Sequence, residues 1–542
     1  MSAGPGTDPG DAHGIGRRDL VKLLAAAGVA AAAGSAVAAA PASAAGLSPL
    51  DLHFTEVQKY RPFAVLSPFV NLDDAFTADT GARYDVLQPS PGETTGHLAV
   101  GDGRLSVGAD RPFYSLLCSP TAQDAAYSTV VVDVESMIGD AAGQDSVFAG
   151  LVQDERNYVL GWYNNAAKAV GIDVMADGVL TGRSVTAASF TAPFRFSFQY
   201  TGNTGVVIAD TGAGWDIVVW DAGVAGLLDL RLDGAAPRYR NAFGLRGDAG
   251  TISLGRVQAG YSGRTGLRDP NLVVEDGGAP YIRDGKLYLT ATAAGTNGFV
   301  SSHTAVFTLD LADWTQLAEV GKVFVHRDGR VLGDHSARLV ADPAGSGFHT
   351  YACTFGDGDV HPGAASVVYA PPQGDLLTGV HVVQGATRAL DGIDASVVHL
   401  ADGWYAAYRA QAGPTVARAV TPDFAGATVL GGNDDGGVYH EGTKLQRVGG
   451  QWYMLSGSEQ DFRVYDMAAA TVGTLDAPTG SPGWCAQPLL TPVPDGEGTR
   501  WLLITFNDVQ YPGCDGSMGE FRVQSAGRTP GWEFGSDAGS GT

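Results

Sequence analysis

Cysteine is scarce, basic residues are outnumbered, long helical periodicity is almost missing, and only one apolar run is long. The four cysteines, Cys118, Cys353, Cys485 and Cys514, form no C-x-x-C pair, which excludes zinc-ribbon and thioredoxin-like sites. Cys485 and Cys514 fall in one structural repeat and are either a disulfide pair or two buried thiols; Cys118 and Cys353 read as buried thiols, small hydrophobes in their own right. Lys and Arg number 34 against 58 Asp and Glu, a formal charge of -24. That balance repels polyanions such as nucleic acid and anionic membrane surfaces, and favours a neutral or cationic ligand. No H-E-x-x-H or comparable ligand spacing is present, so no metal site is expected. The G-x-S-x-G nucleophile elbow is also missing, as are repeated S-x-D-x-G-x-T-W boxes.

The single long apolar run lies near the start. Arg17 and Arg18 precede an alanine-rich stretch from Leu23 to Ala40, and Ala42-Ser43-Ala44 supplies a small-residue cleavage pattern. The segment resembles a twin-arginine export signal, with cleavage expected near Ala44 and a secreted product. A membrane anchor fits less well, because a run of mostly Ala and Gly is only weakly apolar.

From about residue 50 onward, short β-rich runs alternate with Gly, Asp, Asn and Pro, the pattern of an all-β chain. Within residues 50–262 the clearest runs are Ser128 to Glu135, Ser146 to Val152, Tyr158 to Tyr163, Phe194 to Tyr200 and Trp215 to Trp220. They resemble the concanavalin-like jelly-roll sandwiches joined to carbohydrate-active enzymes. Trp162, Tyr163, Trp215 and Trp220 are sugar-stacking candidates if exposed and core residues if buried, the commoner fate of such rings.

The second half carries a loose repeat: a polar or acidic residue before an apolar strand, a turn, then a strand with an aromatic residue. Its leading positions are Asp269, Asp334, Asp394, Glu441 and Gln487, spaced by 65, 60, 47 and 46 residues. Each spacing is about one four-stranded blade, so five blades of a β-propeller are expected. The predicted organisation is a signal over 1–44, a β-sandwich over 45–262, a five-bladed propeller over 263–535 and a tail over 536–542. In a propeller the leading positions would converge on one mouth of the axis. Like charges gathered there are costly unless used. Paired carboxylates suit glycosidic cleavage, in which one protonates the leaving oxygen and the other works on the opposite side of the ring.

The order Arg268-Asp269-Pro270, Ile393-Asp394-Ala395-Ser396 and Glu441-Gly442-Thr443-Lys444-Leu445 is similar to the D-P, I-D-P-S and E-G-P motifs of glycoside hydrolase family 43. Thr308 to Trp314 resembles that family's D-L-x-x-W run, and the likeness extends over roughly the last half of the chain. The resemblance implies Asp269 as general base, Glu441 as general acid and Asp394 as the residue that orients and tunes the acid. Asp391 competes with Asp394 for the third role. Arg268, Asp334, His335, Asp391, His440 and Gln487 form the expected substrate-binding set, with His335 and His440 nearest to a histidine that holds water or a cation. No cofactor is required; a structural cation such as calcium near the propeller axis is compatible with the resemblance.

These roles imply inversion, with roughly 6.5 to 9.5 Å between the two working carboxyl groups. The substrate class is an oligo- or polysaccharide, first α-L-arabinofuranosides or β-D-xylosides, then galactofuranosides or D-arabinofuranosides. Rival readings are a secreted carbohydrate-binding protein without catalysis and a retaining fructan-type propeller. Nothing in the sequence sets an oligomeric state.

Overall fold

The computed structural model describes residues 46–529 apart from 62, 78–82, 89–92, 140–144, 249, 363–364, 459, 480–486, 496–497, 508, 510 and 512–518. The expected export signal, the tail, Cys485 and Cys514 lie outside the described residues. Described regular structure is all strand apart from four short 3-10 turns. The all-β expectation is met.

Residues 64–264 build two sheets, one of seven strands and one of eight. They share a core in which Val147, Val159, Ile172 and Phe243 from one sheet meet Val130, Val132, Phe196 and Leu254 from the other. The strand Tyr127–Gly139 shows how alternation builds this arrangement. Val130, Val132 and Val134 enter the shared core, whereas Val131 joins a separate cluster with Val65, Val206 and Ile208. Successive side chains point to opposite faces, and here both faces are covered. The rings read as candidate sugar platforms divide accordingly. Tyr163 is in the core, while Trp162, Trp215 and Trp220 are partly exposed.

The chain passes from the strand Gly250–Arg264 directly into Gly266–Val274, the first strand of an eleven-stranded sheet drawn from residues 266–390. Two four-stranded sheets follow, from Ile393–Leu400 to Thr428–Gly432 and from Glu441–Val448 to Thr471–Thr474. The last sheet combines Leu489–Asp495, Gly498–Asn507 and Glu520–Thr529 with Phe54–Tyr60. Phe54–Tyr60 therefore departs from the sandwich grouping expected for residues 45–262. It runs antiparallel to Glu520–Thr529, and Leu52 and Phe54 are buried beside Trp501 and Leu503. An alternating strand carries no mark of which edge it will cover, so sequence proximity misplaces it.

Hydrogen bonds that involve polar side chains link five segments in a closed circuit. Asn271 Nδ2 donates to Ser336 O (3.1 Å), Arg338 Nε to Val397 O (3.2 Å), and Leu445 N to Ser396 Oγ (3.0 Å). Lys444 Nζ donates to Gln487 Oε1, and Gln487 Nε2 to Asp269 Oδ1, each at 2.9 Å. The last bond returns to the strand that bears Asn271.

Four of these strands share one irregularity. Pairing shifts between Arg268 and Asn271, His335 and Arg338, Ile393 and Ser396, and Glu441 and Lys444. In each, the inner strand advances three residues while its neighbour advances two, the signature of a β-bulge. The equivalent residues Asp269, Ser336, Asp394 and Gly442 have φ of 53°, 52°, 57° and 66°. This register corrects the expected repeat. Asp269 and Asp394 are equivalent, but Glu441 stands one residue before its bulge position and Asp334 two before. Aligning by acidic residue misread the repeat because the common feature is backbone shape. Asp, Ser and Gly all occupy that shape here, although φ > 0 is costly for non-glycine residues.

Candidate functional site

Asp269, Asp394 and Glu441 are all buried; Asp394 bonds to the Gly442 amide next to Glu441, and Asp269 is joined through Gln487 to Lys444 on the same strand. Asp269 is held on both oxygens: Gln487 donates to Oδ1 and Arg268 Nε to Oδ2 at 3.2 Å. His335 Nδ1 lies 4.0 Å from the same Oδ2. Its ring stacks near the phenyl rings of Phe299 and Phe355, with centroids 5.8 and 4.9 Å away, and its Nε2 meets Phe299 O at 3.1 Å. Arg268 also lies 5.2 Å from the Phe299 ring centroid, a cation over an aromatic face.

Asp394 is tied to the strand that bears Glu441. The amide of Gly442 donates to Asp394 Oδ2 at 3.2 Å, and Thr443 Oγ1 donates to Asp394 O at 2.9 Å. Tyr439 hydroxyl donates to Glu441 Oε2 at 3.1 Å, while the Arg409 guanidinium sits 3.9 Å from the centroid of the Tyr439 ring. Cys353 Sγ accepts from the Asp394 amide at 3.0 Å; burial first, and then the Asp394 charge, push its thiol pKa well up. Cys353 is therefore a structural thiol, as Cys118 is: both are buried and free.

Two cations complete the electrostatics, and neither was among the expected site residues. Burial pushes Lys444 down to about 8, against the opposing pull of Asp394 and Asp269. Arg338 is pushed down to about 9 by burial. Both occupy the rung after the bulge, equivalent to Asn271 and Ser396. Lys444 was visible in the sequence near Glu441, but nothing in a linear motif shows that a lysine three residues on bonds to Gln487.

Three expected substrate contacts are corrected. Asp334 is fully buried, and Arg327 takes both oxygens through Nε (2.6 Å) and Nη2 (2.8 Å), with the Gly356 amide at 3.0 Å. Arg327 also grips Asp357, so Asp334 is one corner of a buried ion cluster; burial raises its carboxyl pKa while Arg327 works the other way. Asp391 is an exposed surface residue paired with Arg388 at 2.6 Å, away from the buried Asp394. His440 is buried with Nδ1 2.9 Å from Val438 O and Nε2 2.9 Å from Asp461 Oδ1. Both of those atoms are acceptors, and the ring is fixed between them. Asp461 in turn is lowered: burial is the largest influence and opposes this, but hydrogen bonds from Ser458 and His440 outweigh it. Arg268, His335 and Gln487, by contrast, lie against Asp269. Among the described residues no group of three or more His, Cys, Asp or Glu is arranged to hold a metal ion.

Chemically, the arrangement provides one carboxylate fixed by two donors, a second braced by a backbone amide, and a third touched by a phenol. Carboxylates in such different settings can divide acid and base work.

No protein-family model matches the chain, and no curated protein is found to match it. Among solved structures, a levansucrase variant of B. megaterium aligns with 48% of this chain and 82% of its own, at 10% identity and TM-score 0.33. A β-1,3-glucanase of Mycobacterium marinum aligns with 36% of this chain and 99% of its own, at 12% identity and TM-score 0.26. A carbohydrate-binding module of Bacillus subtilis aligns with 33% of this chain and 93% of its own, at 12% identity and TM-score 0.21. At these scores none of the three assigns a fold or an activity to this chain.

Proposed function

We propose that this chain is an exported glycoside hydrolase, a jelly-roll sandwich followed by a five-bladed propeller, that cleaves furanoside- or xylose-containing polysaccharides with inversion. The observation that carries the reading is three buried carboxylates on three separate strands, with Asp394 bonded to the Gly442 amide beside Glu441 and Asp269 joined through Gln487 to Lys444 of the Glu441 strand. The closed circuit of hydrogen bonds through five inner segments supports the propeller.

In this reading Asp269, held by Arg268 and Gln487, takes a proton from the water that attacks the anomeric carbon. Two held oxygens still leave a lone pair for that water. Glu441 gives its proton to the departing glycosidic oxygen, and Asp394 orients it through the Gly442 amide. Arg268 and His335 border Asp269 and are placed to contact the sugar.

The test is reducing-sugar release by residues 45–542 from arabinan, xylan, galactofuranan and arabinogalactan. Asp269→Asn and Glu441→Gln should each lose about 10²- to 10⁴-fold in rate, the usual worth of a general acid or base. NMR of the first product should show the inverted anomer. Release that persists in both variants, or a retained anomer, sinks the mechanism. Equal glycan binding by all three proteins with no release makes the chain a binding protein instead.

A further inference from the structure

The loop between the strands Lys286–Ala294 and His303–Asp310 has two neighbours. On one side it touches Arg268 and His335, the residues against Asp269. On the other it receives the tip of the two-sheet half. Tyr127 sits at that tip, at the start of its strand, and is fully buried. Its hydroxyl is shared between Ser302 O at 2.9 Å and Val300 O at 3.0 Å, and accepts from the Gly333 amide. A Cβ at Gly333 would stand 2.1 Å from that oxygen, and one at Gly202, in the adjoining hairpin, 2.0 Å from Val300 O. Asn297 Nδ2 adds a 3.2 Å bond to Thr204 Oγ1. The contact is close-fitting at several points of one loop.

From that loop the path to Asp269 is short. Arg268 Nη2 donates to Ser302 Oγ at 3.1 Å, and Arg268 Nε to Asp269 Oδ2 at 3.2 Å. Phe299 O meets His335 Nε2 at 3.1 Å, and His335 Nδ1 is 4.0 Å from the same carboxylate oxygen. We propose that Tyr127 is a positioning residue for the site: its hydroxyl fixes the 295–302 loop, which sets Arg268 and His335 against Asp269. The sandwich is then a working part of the catalytic centre and more than an appended sugar-binding module. This rests on the hydrolase reading for its kinetic consequence and on geometry alone for its structural one.

Tyr127→Phe keeps the ring that stacks 5.0 Å from Phe324 and removes only the hydroxyl. Ser302→Ala breaks the same path one bond later and leaves the sandwich untouched. On a polymer that the wild type cleaves, each should lower kcat about ten- to a hundredfold with KM within about twofold, the scale of a small misplacement at a reacting centre. The double variant should be no worse than the poorer single one, because both cut one path. Phe324→Leu, which loosens the Tyr127 packing but keeps its hydroxyl, should lower Tm while leaving kcat unchanged. In ¹⁵N-histidine spectra, assigned with His335→Gln, the His335 imidazole signals should move in Tyr127→Phe and Ser302→Ala and stay in Phe324→Leu. Wild-type kcat with unmoved His335 signals in Tyr127→Phe overturns the proposal, as does an equal kcat loss in Phe324→Leu. If the wild type cleaves none of the polymers, the hydrolase reading falls and the His335 signals alone decide: movement upholds the positioning path and its absence overturns it. Should Tyr127→Phe fail to fold, Ser302→Ala carries the same decision.

Discussion

Gly442 fills the bulge position that Asp269, Ser336 and Asp394 fill elsewhere, at φ 66°. A Cβ there would meet Gln487 Cγ at 2.1 Å, and Gln487 is what links Lys444 to Asp269. Gly442→Ala should therefore displace Gln487 and cost about 1–2 kcal/mol from the left-handed backbone alone, and under the proposed function the rate should fall at least as far as in a Gln487→Ala control. Denaturant titration and rate measurement together check this; unchanged stability would show that Gln487 gives way freely. Lys444 makes a second prediction at this scale. Its folded pKa of about 8 lies below the roughly 10.4 of an exposed lysine. Between those values the unfolded chain holds a proton the native state has lost, so stability from this group rises with pH across that window and is lowest below it. The stability difference between wild type and Lys444→Met should shift in favour of wild type from pH 8 to pH 10. A difference flat over that range contradicts the burial argument.

At the scale of the element, the strand Phe54–Tyr60 joins the first described residues to the last sheet. Phe54 and Leu52 are buried with Val464, Leu490 and Trp501, and Arg522 pairs with Glu56 across the strands. Phe54→Ala should cost about 3–5 kcal/mol as a large side chain removed from a core. Deleting residues 46–60 exposes the edge of Glu520–Thr529, an unpaired ladder that invites association. Thermal unfolding of the point variant and size-exclusion chromatography of the deletion check the two expectations; a monodisperse deletion with the wild-type Tm would make the strand dispensable. The bulges belong to this scale as well. They were not legible in the sequence, because φ > 0 was met by Asp, Ser and Gly in turn, and a repeat traced through acidic residues therefore slipped by one residue at Glu441 and two at Asp334. Strand existence was legible from alternation: Phe194 to Tyr200 was read as a strand and Phe194–Thr201 is one.

At the scale of the whole molecule, buried Arg231 couples the two halves. It donates to Asp229 at 2.8 Å and to Asp359 at 2.7 Å, and Asn203 reaches Asp359 at 3.2 Å. Arg231→Met removes the cation that Asp229 and Asp359 share, so calorimetry should resolve two transitions where the wild type shows one. A single transition in the variant would mean that the remaining contacts between the halves, Asn203 with Asp359 and Asn297 with Thr204 among them, suffice to hold them together. The sequence by itself determined the strand class, from alternation and turn residues, and drew attention to Asp269, Asp394 and Glu441, because acidic residues before apolar strands are visible in one dimension. Only the tertiary structure decided which polar groups meet. It sent Asp334 to Arg327, Asp391 to the surface and His440 to Asp461, and it joined Lys444 through Gln487 to Asp269. The physical reason is that a buried charge is settled by whichever partner the packing supplies, and such partners here stand as far apart in sequence as Asp269 and Gln487.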